Sequence, residues 1–225
     1  MSKNQQILAK IGRGSLALLL SLGLGQQASA VTLVENLTQP TDGGSSVATD
    51  VWRGSSFTTG SGSYNLESVT LLFQENTADL NNLFVRLYGN NSGVPGTLIT
   101  TFTNPASITT NLANNTFTLT TPQALTANTT YWLVSGILLG GTGTGDYDWG
   151  FTDSPDQTGL PGWTIGNNYV NSFNQGASWN PNNTGSWKFS LNGTEQSQSI
   201  PEPSSVVALL GLGGLGLVSR LKKQK

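Results

Sequence analysis

The side chains placed closely enough along this chain to act together on a substrate or an ion are carboxylates. Asp146, Asp148, Asp153 and Asp156 fall in one short stretch. Two carboxylates held about 5–9.5 Å apart across a cleft are the machinery of glycoside hydrolysis. Several carboxylates together with loop carbonyls are also the kind of shell that calcium takes, roughly six to eight oxygens. The plain alternative is a solvated acidic loop. The spacing matches neither the EF-hand loop nor a glycine-aspartate nonapeptide repeat. Most other catalytic constellations are excluded by composition. The chain has 0 Cys and 0 His, so it offers no Ser-His-Asp triad, no Cys-His pair and no imidazole or thiolate zinc site. The glycine run Gly140–Gly145 is not followed by Lys-Ser or Lys-Thr, as a phosphate-cradling loop would be. The expectation is therefore a protein that is not an enzyme and has no cofactor, with calcium as the one ion the aspartates would admit.

The aromatic residues are the second candidate chemistry. Trp149, Trp163 and Trp179 stand in stretches rich in Gly, Asn and Asp. An exposed indole stacks on the apolar face of a sugar ring, and neighbouring amides and carboxylates take up the hydroxyl hydrogen bonds. These three are the candidate glycan-binding residues, with core packing as the alternative. Trp132 and Trp187 lie in alternating runs and are expected in the core.

The elements that must position these groups are strands. From Val31 to Ser199 no apolar pattern of helical period occurs. Short β-branched and aromatic runs are punctuated by Gly, Pro and Asn. Strands are expected over residues 32–37, 52–59, 64–74, 83–88, 97–102, 116–120, 130–135 and 186–192, with a weaker one over 163–173. Pro40 to Ser46, Asn90 to Gly96, Pro122 to Asn128 and Thr152 to Gly162 read as loops. In the last strand Trp187, Phe189 and Leu191 alternate with Lys188 and Ser190, which are expected on the polar face. This spacing predicts an all-β, antiparallel two-sheet β-sandwich, jelly-roll-like, over residues 31–194. Asn-x-Thr triplets such as Asn36-Leu37-Thr38 read as a product of composition rather than as glycosylation sites.

Both ends of the chain look different from the middle. Lys3, Lys10 and Arg13 precede an apolar run from Ser15 to Leu24, and Ala28-Ser29-Ala30 is a small-x-small cleavage site. Residues 1–30 thus read as a secretory signal peptide that passes through the translocon and is cut by signal peptidase after Ala30, with Ala28 and Ala30 the small residues that precede the bond. At the other end, a linker over 195–199 leads to Ile200-Pro201-Glu202-Pro203-Ser204. There the two prolines fix φ and remove donors, so neither helix nor sheet runs through. An apolar run over 205–219 follows, about 15 residues or roughly 22 Å as a helix. That makes a thin transmembrane helix against a hydrocarbon core of about 30 Å. Arg220, Lys222, Lys223 and Lys225 then form a basic stop on the cytoplasmic side. Between the two end segments 3 basic residues face 11 acidic ones, a net charge of −8. Such a domain is no partner for nucleic acid, and it permits cations and neutral sugars.

The tripartite tail over 200–225 resembles the PEP-CTERM sorting signal of bacterial exported proteins. The resemblance implies recognition near Pro201, Glu202 and Pro203 by exosortase, a membrane-embedded protease or transpeptidase. It also implies a setting of exopolysaccharide and biofilm. Three stretches of the middle region resemble the choice-of-anchor ectodomains of type R: Leu83–Tyr88, Gly93-Val94-Pro95-Gly96-Thr97-Leu98 and Leu125–Leu133. That resemblance implies a β-rich surface module and transfers no catalytic residues. The expected protein is exported and held at the membrane by its C-terminal segment. It then goes to the cell surface or extracellular matrix, as a structural or adhesive component binding polysaccharide weakly. A calcium-dependent lectin-like module is the alternative, and a carboxylate glycoside hydrolase is the third.

Overall fold

In the computed structural model of the protein, residues 29–139, 144–182 and 184–196 are described. They form two antiparallel sheets. The first carries β1 (Val31–Glu35), β2 (Gly43–Ala48), β4 (Tyr64–Thr77), β7 (Ala113–Leu125), β9 (Asp146–Thr152), β10 (Thr158–Gly159), β13 (Ser186–Trp187) and β14 (Phe189–Glu195). The second runs in the order β12 (Asn180–Asn182), β11 (Thr164–Ser172), β3 (Trp52–Thr58), β8 (Thr130–Ile137), β5 (Leu83–Asn91) and β6 (Val94–Thr101). This is the two-sheet sandwich that the alternating pattern predicts.

The long strand β4 organises the first sheet. One of its edges pairs with β7, and the other is shared. The early half, Tyr64 to Leu71, pairs with β14, while Phe73 to Thr77 pairs with β9. The strands part at Lys188, whose N–H donates to the Gly150 carbonyl at 2.8 Å while its own carbonyl accepts from Leu72 N–H at 3.2 Å. Gly150 has no Cβ because the Leu72 side chain fills that place, 2.6 Å from where one would stand. The Trp149 indole N–H donates to the Lys188 carbonyl at 3.0 Å and seals the junction from the core side.

Lys188 corrects an expectation. It is 2 % exposed rather than on a polar face. Its Nζ donates to the Gln39 carbonyl and, at 2.8 Å, to Thr41 Oγ1. The residues around the junction take the place of water for the ammonium, and burial still lowers its pKa, against the opposing pull of Asp42 and Glu35.

All four stretches that read as loops contain strand residues, the one over 152–162 through the short β10. Residues 43–48 form β2, because its glycines and serines lie close on β9: a Cβ on Gly44 would stand 3.3 Å from the Asp148 Cβ. Residues 90–91 and 94–95 complete the β5–β6 hairpin, closed by Ser92 and Gly93 at φ 53° and 87°. Pro122 lies within β7, where the register with β4 shifts between Leu66 and Ser68. Proline is tolerated at such a bulge on an edge strand, where no ladder donor is needed.

The interior is aromatic. Phe73, Tyr147, Trp149, Trp187, Phe57 and Phe189 are fully or almost fully buried between the sheets. A second apolar cluster, Trp52, Phe84 and Val134, lies on the opposite face of the second sheet, with Tyr88, Leu138 and Trp179 packed against it. Its signal was present in the sequence: Phe84 and Tyr88 interrupt the expected polar phase of β5, as Trp132 and Val134 do in β8. A strand apolar in both phases is covered on both faces.

Candidate functional site

One end of the sandwich gathers the turn between β2 and β3, the end of β8 and the segment between β11 and β12. Trp52 is its foundation. The indole N–H donates to the Ile137 carbonyl at 3.1 Å, and the ring meets Phe84 edge-on with centroids 4.6 Å apart. Gly136 underlies the ring and Gly176 approaches it as well: Cβ atoms there would stand 2.4 Å and 2.8 Å from Trp52 atoms. Gly176 at φ 82° and Gln175 at φ 59° turn the chain over the indole.

Side chains hold that turn. Ser172 Oγ donates to Asn174 Oδ1 at 2.9 Å and accepts from Gly176 N–H at 2.8 Å. Asn174 Oδ1 accepts from Ser178 N–H at 2.9 Å, and Gln175 Nε2 donates to the Thr49 carbonyl at 3.2 Å. The turn displays Phe173, 61 % exposed, with Leu139 at 74 % exposure nearby. Both line an open groove of about 430 Å³ with Thr49, Asp50, Asn174 and Gln175. Ordered polar side chains around exposed apolar ones are suited to shallow contact with an extended ligand. Among the described residues that line the groove, Asp50 is the one ionisable side chain.

The predicted glycan-binding tryptophans are not brought together. Trp149 is fully buried and stacks on Trp187 at 5.8 Å, and Trp163 is 5 % exposed and stacks on Phe57 at 6.3 Å. Neither can meet a sugar, so the expectation fails at these two positions. Inward phase on β9 buries the first, and packing against Phe57 and Tyr64 buries the second. Trp179 stands beside the groove, half-buried against Trp52. Sequence reasoning missed Phe173 and Leu139, and their signal was an apolar residue next to Asn or Gly at the end of a strand.

The four aspartates are also separated. Asp146 and Asp148 lie on the solvent side of β9. Asn76 Nδ2 donates to Asp148 at 3.0 Å, and Ser46 Oγ donates to Asp146 at 2.7 Å. Asp153 and Asp156 lie past the other end of that strand, with Asp153 about 23 Å from Asp146 at roughly 3.3 Å per residue. β9 is extended over seven residues, and that extension pulls the set apart. Among the described residues no three acidic side chains converge to hold a metal ion.

Ala30 is exposed at the start of the described chain. Ala28, the signal segment before it, Pro201, Glu202 and Pro203, the apolar run 205–219, and Arg220, Lys222, Lys223 and Lys225 lie outside the described residues. The sandwich delivers the chain toward them from β14, whose Glu195 pairs with Tyr64. Gln196 N–H then donates to the Ser63 carbonyl at 2.9 Å.

Residues 199–223 match the PEP-CTERM protein-sorting motif. The match marks an exported protein sorted by an exosortase, with a membrane-anchored C-terminal signal. No curated protein matches the chain.

Proposed function

We propose that this is a cell-surface or extracellular-matrix protein whose β-sandwich is the cargo of an exosortase sorting system. Its role is structural or adhesive, with weak binding of polysaccharide at the Phe173 end of the sandwich. The observation that carries the reading is the position of the sorting motif. It begins three residues beyond Gln196, the last described residue of the folded domain. The tail is an address attached directly to a finished domain. The likeness to choice-of-anchor ectodomains is part of the same reading. Two of the three stretches that carry it fall on β5 and β6, and the third runs from the end of β7 into β8, next to β5. Polysaccharide binding draws support from the exposed Phe173 and Leu139 beside Trp179, and from a domain charge that favours neutral ligands.

The sorting role is tested by the intact mass of the mature protein from its producing cells, wild type beside Glu202→Ala. The expected species begins at Val31 and ends near Pro201–Pro203, and the variant loses it. A species still carrying Arg220–Lys225 in the wild type would make the tail a plain anchor. The binding role is tested by calorimetry with the exopolysaccharide of the same cells. Phe173→Ala with Trp179→Ala should abolish the heat and lower retention in the matrix. No heat with the wild type would refute binding.

A further inference from the structure

The structure describes a domain with two dissimilar ends, and the chain leaves from only one of them. Three loops gather around the exit: Thr59–Ser63 after β3, Thr126–Thr129 before β8, and Leu160–Trp163 before β11. Thr59 N–H donates to the Thr129 carbonyl at 3.0 Å, and Asn128 N–H to the Gly60 carbonyl at 3.0 Å. Gly60 lies so close to the Pro161 carbonyl that a Cβ would stand 2.4 Å from its oxygen. Gln196 is fastened to this assembly, donating N–H to Ser63 and Nε2 to the Tyr64 carbonyl, the latter at 3.1 Å. None of the three loops contains Lys, Arg, Asp or Glu. Glu195 and Glu67, the latter accepting from Thr194 Oγ1 at 2.9 Å, are the acids nearest the exit.

The opposite end is acidic. Asp50 lies in the turn after β2, and Glu75, Asp79, Asp146 and Asp148 surround the far ends of β4 and β9. Leu139 and Phe173 project at this same end. β4 runs 14 residues from one end to the other, about 43 Å at roughly 3.3 Å per residue.

We propose that the uncharged loop end, Thr59–Ser63 with Thr126–Thr129 and Leu160–Trp163, is the face that the domain lays against the phospholipid headgroups. The acidic end with Phe173 and Leu139 then points away into the extracellular space. The proposal rests on the sorting-tail reading above. Two observations carry it. The five steps from Gln196 to Pro201 reach at most about 17 Å, so the exit end is held near the bilayer while the tail is inserted. Acids would be repelled by an anionic headgroup layer within a Debye length, about 8 Å; none lies in the three loops, and Asp50, Glu75, Asp79, Asp146 and Asp148 gather at the opposite end. The neutral, glycine- and serine-rich loops carry no such repulsion. A sandwich standing on this end offers its groove to the matrix while the tail is still uncut.

Because the chain has 0 Cys, single-cysteine labelling tests this on the tail-bearing protein. Ser61→Cys and Thr126→Cys mark the exit end, and Ala78→Cys and Ala177→Cys mark the far end. All four positions are exposed. Each variant, starting at Val31 and ending at Lys225, is labelled with a fluorophore. It is then placed in vesicles of phosphatidylethanolamine and phosphatidylglycerol containing headgroup spin-labelled lipid. Protease protection of the Arg220–Lys225 end reports tail insertion separately. The expected result is quenching several-fold greater at Ser61 and Thr126 than at Ala78 and Ala177. Equal quenching at both ends with the tail inserted describes a domain lying flat or swinging freely. That result overturns the orientation and leaves the sorting reading standing. A tail that fails to insert overturns the reading, and the orientation with it.

Discussion

The groove depends on Trp52, and Trp52 depends on the absence of one methyl group. In Gly136→Ala the new Cβ would stand 2.4 Å from Trp52 Cδ1, 2.5 Å from its Cγ and 2.7 Å from Phe84 Cζ. Real carbon contacts are about 3.5–4.0 Å, so the indole must move by roughly 1 Å or more. Overpacking of this kind costs about 1–3 kcal/mol. The bond from Trp52 to the Ile137 carbonyl is lost at a cost of about 1 kcal/mol. The edge-on pair with Phe84 contributes roughly another 0.5–1 kcal/mol. The expected total is about 3 kcal/mol, a large part of a stability on the order of 5–15 kcal/mol. Urea unfolding of residues 31–199, with the m-value unchanged, measures it. The decisive control is Trp52→Ala, which removes the atoms that the methyl group strikes. In that background Gly136→Ala should cost under about 1 kcal/mol, a coupling of roughly 2 kcal/mol. If the two substitutions add within about 0.5 kcal/mol, the methyl group does not act through Trp52 and the account of the groove's floor is wrong.

Three further outcomes follow from buried polar groups. Asn36→Ala should cost about 3 kcal/mol in the same urea assay, because Asn36 donates to Ser186 Oγ and the Trp187 carbonyl and accepts from Phe189 N–H. A loss under about 1 kcal/mol would mean that water replaces it. Burial lowers the Lys188 pKa, so between that value and the ordinary lysine pKa of about 10.4 the unfolded chain binds more protons and stability rises with pH. Lys188→Met should flatten that rise across alkaline urea midpoints, and an unchanged slope would refute it. Burial raises the Tyr147 pKa, which leaves the folded state holding a proton that the unfolded state releases above about pH 10. Stability from Tyr147 is therefore lost as pH climbs through that range. Tyr147→Phe should remove the loss while sacrificing the bond from Asp79 N–H at 2.7 Å.

Much of this protein is local in origin and was legible in the chain. The sorting tail is read as a linear string, so Pro201, Glu202 and Pro203 needed no tertiary context to be recognised. Strand phase is equally local: Leu83, Val85 and Leu87, or Trp187, Phe189 and Leu191, alternate with a period of two and are buried as that period requires. The sandwich follows, because strands with one apolar face must cover it with another sheet. What the structure alone decided depends on which strand lies beside which. Lys188 is polar in sequence, yet it is buried where β4 and β9 part, since Gln39 and Thr41 arrive there from a remote segment. Trp149 and Trp163 sit among loop-forming residues, but long-range packing turns them inward. Asp146 and Asp153 are neighbours in sequence and are held apart by an extended strand, because pairing with β2 and β4 rather than local propensity keeps β9 straight. The same long-range pairing gathers three uncharged loops near the chain's exit and Asp50, Glu75, Asp79, Asp146 and Asp148 at the opposite end. Local sequence carries address and periodicity, while proximity between distant residues exists only once the strands have paired.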